Sequence, residues 1–409
     1  MLRKTAYIVD AVRTPIGRYG GVLSSIRPDD LGSIVIKALL SRNSNIDVNT
    51  IEDVIFGCTN QAGEDSRNIA RNAALLSGLP VSVGGITVNR LCASGLQAVF
   101  DAHRAIACGD GDIYIVGGVE SMSRSPFVMN KATSAFSRQT EVFDSTLGTR
   151  FPNPRLHSLH PPYNNGETAE NLARHWGISR EAQDQFALQS QEKVFDAQRL
   201  SKFNSEMVPV SVSGGRNQGD TSVADDEHPR RTTMEALGKL RPIFTGGEEQ
   251  GSVTAGNSSG INDGASALLI ASEEAVAQYG LTPMARIVSQ AVAGVDPSIM
   301  GIGPVPAVLK ALNRAQLNVE DIALHEINEA FSVQVLACIG DLHLNPAIVN
   351  VNGGAISLGH PLGCSGARIT TTLVHEMRRR VLSGSGKHYG AASMCVGMGQ
   401  GAALILEST

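Results

Sequence analysis

The sequence predicts an α/β protein that uses one folding unit twice and inserts a long segment between the two copies. Three observations predict it. Apolar runs of about four to six residues alternate with amphipathic segments of about 10–15 residues, the pattern of buried strands covered by helices. The same succession of elements occurs at both ends of the chain. Between them, residues from about Ser121 to Gly260 differ in character.

In the first copy, Tyr7-Ile8-Val9 reads as a strand and Asp30 to Leu40 as a helix. Glu52 to Phe56, Val88-Asn89, a helix and the strand-like Ile113 to Gly118 follow. The second copy repeats this order. Arg286-Ile287-Val288 leads to a helical stretch from Val305 to Leu312, then Glu320 to Leu324, Val349 to Asn352, a helix and Tyr389 to Ala392. The central segment opens on MSRSPFVMNKATSAF and carries Pro152, Pro154, Pro161 and Pro162. It includes two helices, GETAENLARHW and SREAQDQFALQSQEKVFDAQ. In the second, Ser179 is the expected N-cap, Glu181 sits in the first turn, and Ala182, Phe186, Val194 and Ala197 mark an apolar stripe. SGGRNQGDTSVADDEHPRR reads as surface loop. This insertion is expected to lie over the α/β body, where a long ligand can bind.

Composition excludes several classes. A chain of 409 residues suits two to three domains, and 42% hydrophobic with 18% charged residues is neither disordered nor membrane-embedded. A net charge of −5 excludes nucleic acid or an anionic membrane as the main partner. The six cysteines (Cys58, Cys92, Cys108, Cys338, Cys364 and Cys395) have no C-x-x-C spacing, so neither a disulfide scaffold nor a zinc knuckle is expected. His157-x-x-His160 lies among prolines without further ligands at zinc spacing, and no metal is expected. The apolar run near the start is broken by Asp10 and Arg13, too short for a signal peptide, and LILEST is no peroxisomal address. A cytoplasmic setting is the expectation.

Four motifs carry chemistry. In VNRLCASGLQAVFDAHRAIACGD, Leu96, Val99, His103 and Ile106 recur at helical spacing, so a helix begins just after Cys92. The positive helix terminus favours a thiolate there, although a lone cysteine is more often a small buried hydrophobe. In NVNGGAISLGHPLGCSGARITTTLVHEM, a glycine-rich turn holds His360 on rigid backbone; a turn histidine without a role is the alternative. GCSGAR and GSGKH lack the Lys-Ser/Thr ending of a phosphate loop. In SMCVGMGQGAALIL, Cys395 precedes Gly397, Gly399 and Gly401, whose backbone N–H groups can face an oxyanion. In HEINEAFS, Asn328 can hold a water or a carbonyl, or cap a helix.

VNRLCASGLQAV, NEAFS, GGAISLGHPLGCSGAR and CVGMGQG, in that order, resemble the thiolase family, and the likeness runs from YIVDAVRTPIG to GQGAALILE. The resemblance implies the thiolase fold, with duplicated βαβαβαββ halves in a five-layered αβαβα arrangement and an inserted loop domain. Its boundaries would be 1–120 for the N-terminal half, completed by about 261–283, then 121–260 for the CoA-binding insertion and 284–409 for the C-terminal half. It implies Cys92 as the acylated nucleophile, activated by His360. His360 and a water on Asn328 would form one oxyanion site, and the backbone N–H groups of Cys92 and Gly397 the other. Cys395 would be the general acid/base. For coenzyme A, Arg230 matches the arginine that meets the phosphates, with Arg231 as the alternative. Ala255 and Ser259 match positions along the pantetheine, and Met300 and Phe331 line the acyl end. Asn164-Asn165 departs from the Met or His usual before GxTAEN. No cofactor is implied to bind tightly, coenzyme A being a substrate, and a homotetramer or homodimer is implied.

NQAGEDSRNIARNAALLSGLP and TEVFDSTLGTRFPNP look closer to β-ketoadipyl-CoA thiolases than to short-chain acetoacetyl-CoA thiolases. Cleavage of 3-oxoadipyl-CoA, late in aromatic-compound breakdown, or the reverse Claisen condensation, through an acyl-Cys92 intermediate, is therefore the expectation. The alternatives are a general fatty-acid 3-ketoacyl-CoA thiolase and an acetoacetyl-CoA thiolase. A decarboxylating synthase needs an additional His or a Lys near a carrier-protein site, whereas Cys395 stands where a thiolase needs it, and a non-catalytic acyl-CoA-binding subunit should lack Cys92, His360 or Cys395.

Overall fold

The structure, a computed structural model, describes residues 4–214, 219–244, 251–386 and 388–409. Three residues of the opening segment, 215–218 of the Gly/Asp-rich stretch and Lys387 of GSGKH lie outside them. In the first copy the elements are β1 (Ala6–Arg13), α1 (Pro28–Arg42), β2 (Asp53–Gly57), α2 (Ile69–Leu76), β3 (Ile86–Val88), α3 (Ser94–Cys108) and β4 (Ile113–Ser121). The insertion contributes α4 (Asn165–Trp176) and α5 (Arg180–Arg199). Then come β5 (Asn262–Ser272), β6 (Ala285–Gly294), α6 (Pro304–Ala315), β7 (Ile322–Ile327), α7 (Ser332–Asp341), α8 (Leu362–Leu382), β8 (Tyr389–Val396) and β9 (Gln400–Ser408).

The strand order β7-β8-β9-β6-β1-β5-β4-β2-β3 reads the same outward from the β1–β6 seam. On one side the second strand lies parallel to the fourth (β2 with β4), and on the other β7 lies parallel to β8. The final strand of each copy returns antiparallel, β5 between β4 and β1, β9 between β8 and β6. The seam itself is short, Tyr7 to Arg286 and Ile8 to Ala285. Alternation along the strands separates the layers. On β5, Leu268 and Ile270 enter the central core with α3 and α8, while Ala267 and Leu269 face α1 and α2. On β9, Leu404 and Leu406 face the central helices, and Ala403 and Ile405 face α6 and α7. Five layers result, as the resemblance implied.

Three local readings need correction. Val349–Asn352 is not a strand but one parallel bridge from Val349 to His325. The Asn350 carboxamide accepts from the Ile327 N–H (2.8 Å) and donates to its carbonyl (2.9 Å), so a side chain takes the place of a third strand. On α5, Phe186, Val194 and Ala197 are buried, but Ala182 is exposed. Its buried face also carries Gln183, Asp184, Ser190 and Gln191. Asp184 accepts from Asn257 (2.9 Å) and Ser190 donates to Glu329 (2.7 Å). A polar helix face is buried here because nearly every group on it finds a partner, the Gln183 Oε1 excepted.

The third correction concerns the Gly/Asp-rich stretch. Asp226 and His228 within it are buried. Asp226 accepts from Arg13 at 2.7 and 3.0 Å and from the Ile16 N–H at 2.9 Å. Arg13 is wholly buried, bonds Glu206 at 2.6 Å and stacks on Phe203 at 5.1 Å. The two carboxylates hold its guanidinium pKa above the usual value despite burial, which alone would lower it. One buried cation thus pins the insertion to β1. Removing one partner leaves an uncompensated charge, so Asp226→Ala is expected to lose about 3–5 kcal/mol in urea unfolding. A loss below about 1 kcal/mol would mean that the insertion is held by other contacts.

Candidate active site

The four motifs follow the C-terminal ends of β3, β7 and β8 and the turn before α8. Cys92 sits in a turn built from side-chain bonds. Asn89 Oδ1 accepts the Leu91 N–H (2.8 Å), and Ser94 Oγ accepts the Arg90 N–H (2.9 Å) while donating to the Leu91 carbonyl (2.6 Å). Leu91 takes a φ of 47°, a left-handed conformation that costs a non-glycine residue about 1–2 kcal/mol. The turn delivers Cys92 two residues before the first turn of α3.

The helix terminus does not make Cys92 a resting thiolate. Burial pushes its thiol up to about 11, against the opposing influence of the backbone N–H groups of Gly397 and of Cys92 itself. Those are the two donors that the resemblance assigned to an oxyanion site. Gly397 opens the tight turn between β8 and β9, where Met398 and Gly399 have φ of 64° and 77°. Cys395 lies in β8 opposite Gly401 and is buried with Met300 and Ala330 against Phe331. Burial, then the nearby Cys92 and Cys338 sulfurs, push its thiol well up.

His360 is aimed from the backbone outward. Its N–H donates to Asn262 Oδ1 (2.9 Å). Gly359 before it has φ 107°, and a Cβ there would lie 2.5 Å from the Asn262 carboxamide carbon, so only glycine fits. Ser365 Oγ donates to the Pro361 carbonyl (2.8 Å) and has one hydrogen, so at 2.6 Å it accepts from His360 Nδ1–H. Nε2 therefore carries the lone pair, and Asn328 Nδ2 donates to it at 3.5 Å. Burial, then the Arg368 guanidinium, push the imidazole down to about 3. Asn328 is fixed by its own N–H on the Ser393 carbonyl (2.9 Å), and its Oδ1 meets no donor among the described residues. The structure thus joins Cys92, Gly397 and Cys395 directly, and His360 with Asn328. The turn before α3 abuts the start of α8: a Cβ on Gly95 would lie 2.8 Å from the Gly363 carbonyl.

A track leads outward from Cys395. Ala330 accepts the Ser259 N–H (3.0 Å), and Ser258 bridges to Phe331. Further along this loop the Ala255 carbonyl accepts from Arg230 at 2.9 Å. Burial, then Arg18, lower the Arg230 guanidinium pKa, a site that an anion would relieve. Arg231 is exposed and stacks on Phe195 at 4.8 Å. Asn164 caps α4, and Asn165 reaches the active site, its Oδ1 3.6 Å from where a Cβ on Gly397 would lie.

Sequence reasoning missed Asn262, Ser365, Arg90 and Glu120. Arg90 bonds Gln97 (2.8 Å) and, across the halves, Gln400 (2.9 Å), tying the Cys92 turn to the β8–β9 hairpin. Ser365 and Arg90 carried a signal, their places in the motifs five residues after His360 and two before Cys92. For Cys92 the expected chemistry is that of a neutral buried thiol. Alkylation of its peptide by iodoacetamide, followed by mass spectrometry, should rise about tenfold per pH unit from pH 7 to 9. A plateau above pH 7 would contradict the burial argument.

Comparison with known proteins finds relatives along nearly the whole chain. Residues 6–274 match the thiolase N-terminal domain and residues 281–408 the thiolase C-terminal domain. A β-ketoadipyl-CoA thiolase of Pseudomonas aeruginosa is 52% identical over 99% of this chain and 100% of its own. A 3-oxoadipyl-CoA/3-oxo-5,6-dehydrosuberyl-CoA thiolase of Escherichia coli K12 is 53% identical over 99% of each chain. The crystal structure of human mitochondrial 3-ketoacyl-CoA thiolase in complex with CoA superposes with a TM-score of 0.90 at 42% identity, covering 99% of this chain and 98% of the other. With both domains matched in sequence and in fold, the chain belongs to the thiolase family of acyltransferases.

Proposed function

We propose that this thiolase cleaves 3-oxoadipyl-CoA with coenzyme A to succinyl-CoA and acetyl-CoA, carrying the succinyl group on Cys92. The observation that carries the substrate is the identity of about half the residues, over full length, with several β-ketoadipyl-CoA thiolases. A 3-ketoacyl-CoA thiolase of Aliivibrio fischeri is less similar, at 47%.

In this reading, His360 Nε2 takes the Cys92 proton as the sulfur adds to the ketone carbon. The oxyanion is held by the N–H groups of Cys92 and Gly397, each donor contributing about 3 kcal/mol to barrier lowering. The bond between the ketone carbon and the α-carbon breaks, and its electrons become the enolate of acetyl-CoA. His360, now bearing the proton on Nε2, and a water on Asn328 stabilise the enolate oxygen, while Cys395 protonates its carbon. After acetyl-CoA leaves, Cys395 takes the proton of an incoming coenzyme A thiol. That sulfur displaces Cys92 from the acyl group, and each residue returns to its starting form.

Arg230 receives the phosphates, Ala255 and Ser259 line the pantetheine, and Met300 and Phe331 border the acyl end. The catalytic halves are 1–120 with about 261–283 and 284–409, and 121–260 is the CoA-binding insertion. No other cofactor is held. A homodimer or homotetramer is supported by the exposed apolar side chains of Phe127, Met129 and Phe136. Among the described residues no helix is long and apolar enough to cross a membrane, and a cytoplasmic location is the reading adopted.

Brief incubation with 3-oxoadipyl-CoA should add a succinyl mass to the Cys92 peptide. An adduct elsewhere would refute the nucleophile. Cys395→Ala should retain that adduct while turnover falls at least about a hundredfold; near-parental turnover would remove the acid/base role. Among 3-ketoacyl-CoAs, kcat/KM should be at least about tenfold higher for 3-oxoadipyl-CoA than for acetoacetyl-CoA or medium-chain substrates. Equal values would remove the dicarboxylate preference.

A further inference from the structure

Glu120 ends β4 in the first half and is buried, yet it takes no part in the reaction steps above. Its two oxygens face a full set of donors. Oε2 accepts from the Thr59 N–H (2.9 Å), the Thr59 hydroxyl (2.8 Å) and the Gly363 N–H (2.8 Å). Oε1 accepts from the Asn60 N–H (3.1 Å) and lies 3.6 Å from the Cys58 thiol. Burial pushes this carboxyl up, and the four N–H and O–H donors pull it back.

What those donors belong to gives the arrangement its meaning. Thr59 and Asn60 lie on the loop after β2. Cys58 N–H donates to the Val88 carbonyl at 3.3 Å, and the Thr59 carbonyl accepts from Asn89 Nδ2 at 3.2 Å. The other side of the Asn89 carboxamide holds the Leu91 N–H, one residue before Cys92. Gly363 belongs to the opposite half, three residues after His360, in the first turn of α8. The same turn presents Ser365 to His360 Nδ1. There is no slack around it: a Cβ on Gly363 would lie 2.7 Å from Cys58 Cα, 2.8 Å from the Gly57 carbonyl and 2.9 Å from Glu120 Oε2.

We propose that Glu120 is a positioning residue for this reaction, a single carboxylate that sets the spacing between the Cys92 turn of one half and the His360 turn of the other. It touches neither substrate nor reacting atoms. It acts through two short chains of bonds, one ending at Leu91 and one at Gly363. The inference rests on Cys92 as nucleophile and His360 as its base. An error of about 1 Å in such a spacing costs up to about a hundredfold in rate while leaving remote substrate contacts intact.

Glu120→Asp withdraws the carboxylate by one methylene, so that it cannot reach both loops. Gly363→Ala keeps the carboxylate and pushes the two turns apart. Both variants should lose about 10- to 100-fold in kcat, and in the single-turnover rate of Cys92 acylation, with KM for coenzyme A within about twofold of the parent. Each is compared at a temperature where its circular dichroism matches the parent's. Should one fail to fold, the other carries the test, and Thr59→Val, which removes one hydroxyl donor, should show the same split at about two- to fivefold. Parental acylation rates in folded variants would overturn the positioning role, as would a loss confined to KM. If the parent itself never acylates at Cys92, it is the underlying reaction that fails, a distinct result.

Discussion

The site depends on how closely two backbones approach where the halves meet. α3 and α8 cross with glycines at their closest points. A Cβ on Gly366 would overlap the Leu96 backbone nitrogen, and one on Gly95 would lie 2.7 Å from the Ala367 nitrogen. The strands beneath are equally tight: a Cβ on Gly57 would overlap the Gly95 nitrogen, and one on Gly118 the Gly363 carbonyl. Gly95, Gly118 and Gly366 lie within six residues of Cys92, Glu120 and His360, and Gly57 precedes the Thr59–Asn60 loop that Glu120 holds. This crossing thus sets the distance between the Cys92 turn of one half and the His360 turn of the other, and a methyl group at any of these positions would force them apart.

Closeness of this kind also dries the site, which decides its resting charge. Burial pushes the Cys92 and Cys395 thiols up and the His360 imidazole down, so all three rest neutral. The surrounding donors are nonetheless arranged for charge: two N–H groups against the Cys92 sulfur, and Ser365 and Asn328 on either side of the imidazole. Little reorganisation is needed when charge forms, which is the condition under which fixed dipoles contribute most to a barrier. A resting thiolate beside a second thiol would by contrast be exposed to oxidation and unselective alkylation.

Much of this was legible in the chain. Runs such as Ile113 to Gly118 and Tyr389 to Ala392 mark buried strands because only apolar residues suit a sheet covered on both faces. Motif order then singled out Cys92, Asn328, His360 and Cys395 as one expected site. What stayed hidden depends on contacts distant in sequence. Asp226 looks like a loop residue until Arg13, more than two hundred positions away, is seen to need it. Val349 to Asn352 looks like a strand until the Asn350 side chain is seen to bond both backbone groups of Ile327. The thiolate expected of Cys92 followed from the helix terminus alone, and local sequence does not report the burial that outweighs it.

The central claim is that one cavity presents two sulfurs and two backbone donors to a single acyl group. A crystal structure of the protein trapped with an acetyl group on Cys92 tests it most directly. The account predicts the acetyl oxygen within about 3 Å of both the Cys92 and Gly397 nitrogens, with the Cys395 sulfur facing the acetyl carbonyl carbon, on the side from which coenzyme A attacks. An acetyl oxygen turned away from Gly397, or a carbonyl carbon shielded from Cys395, would contradict it.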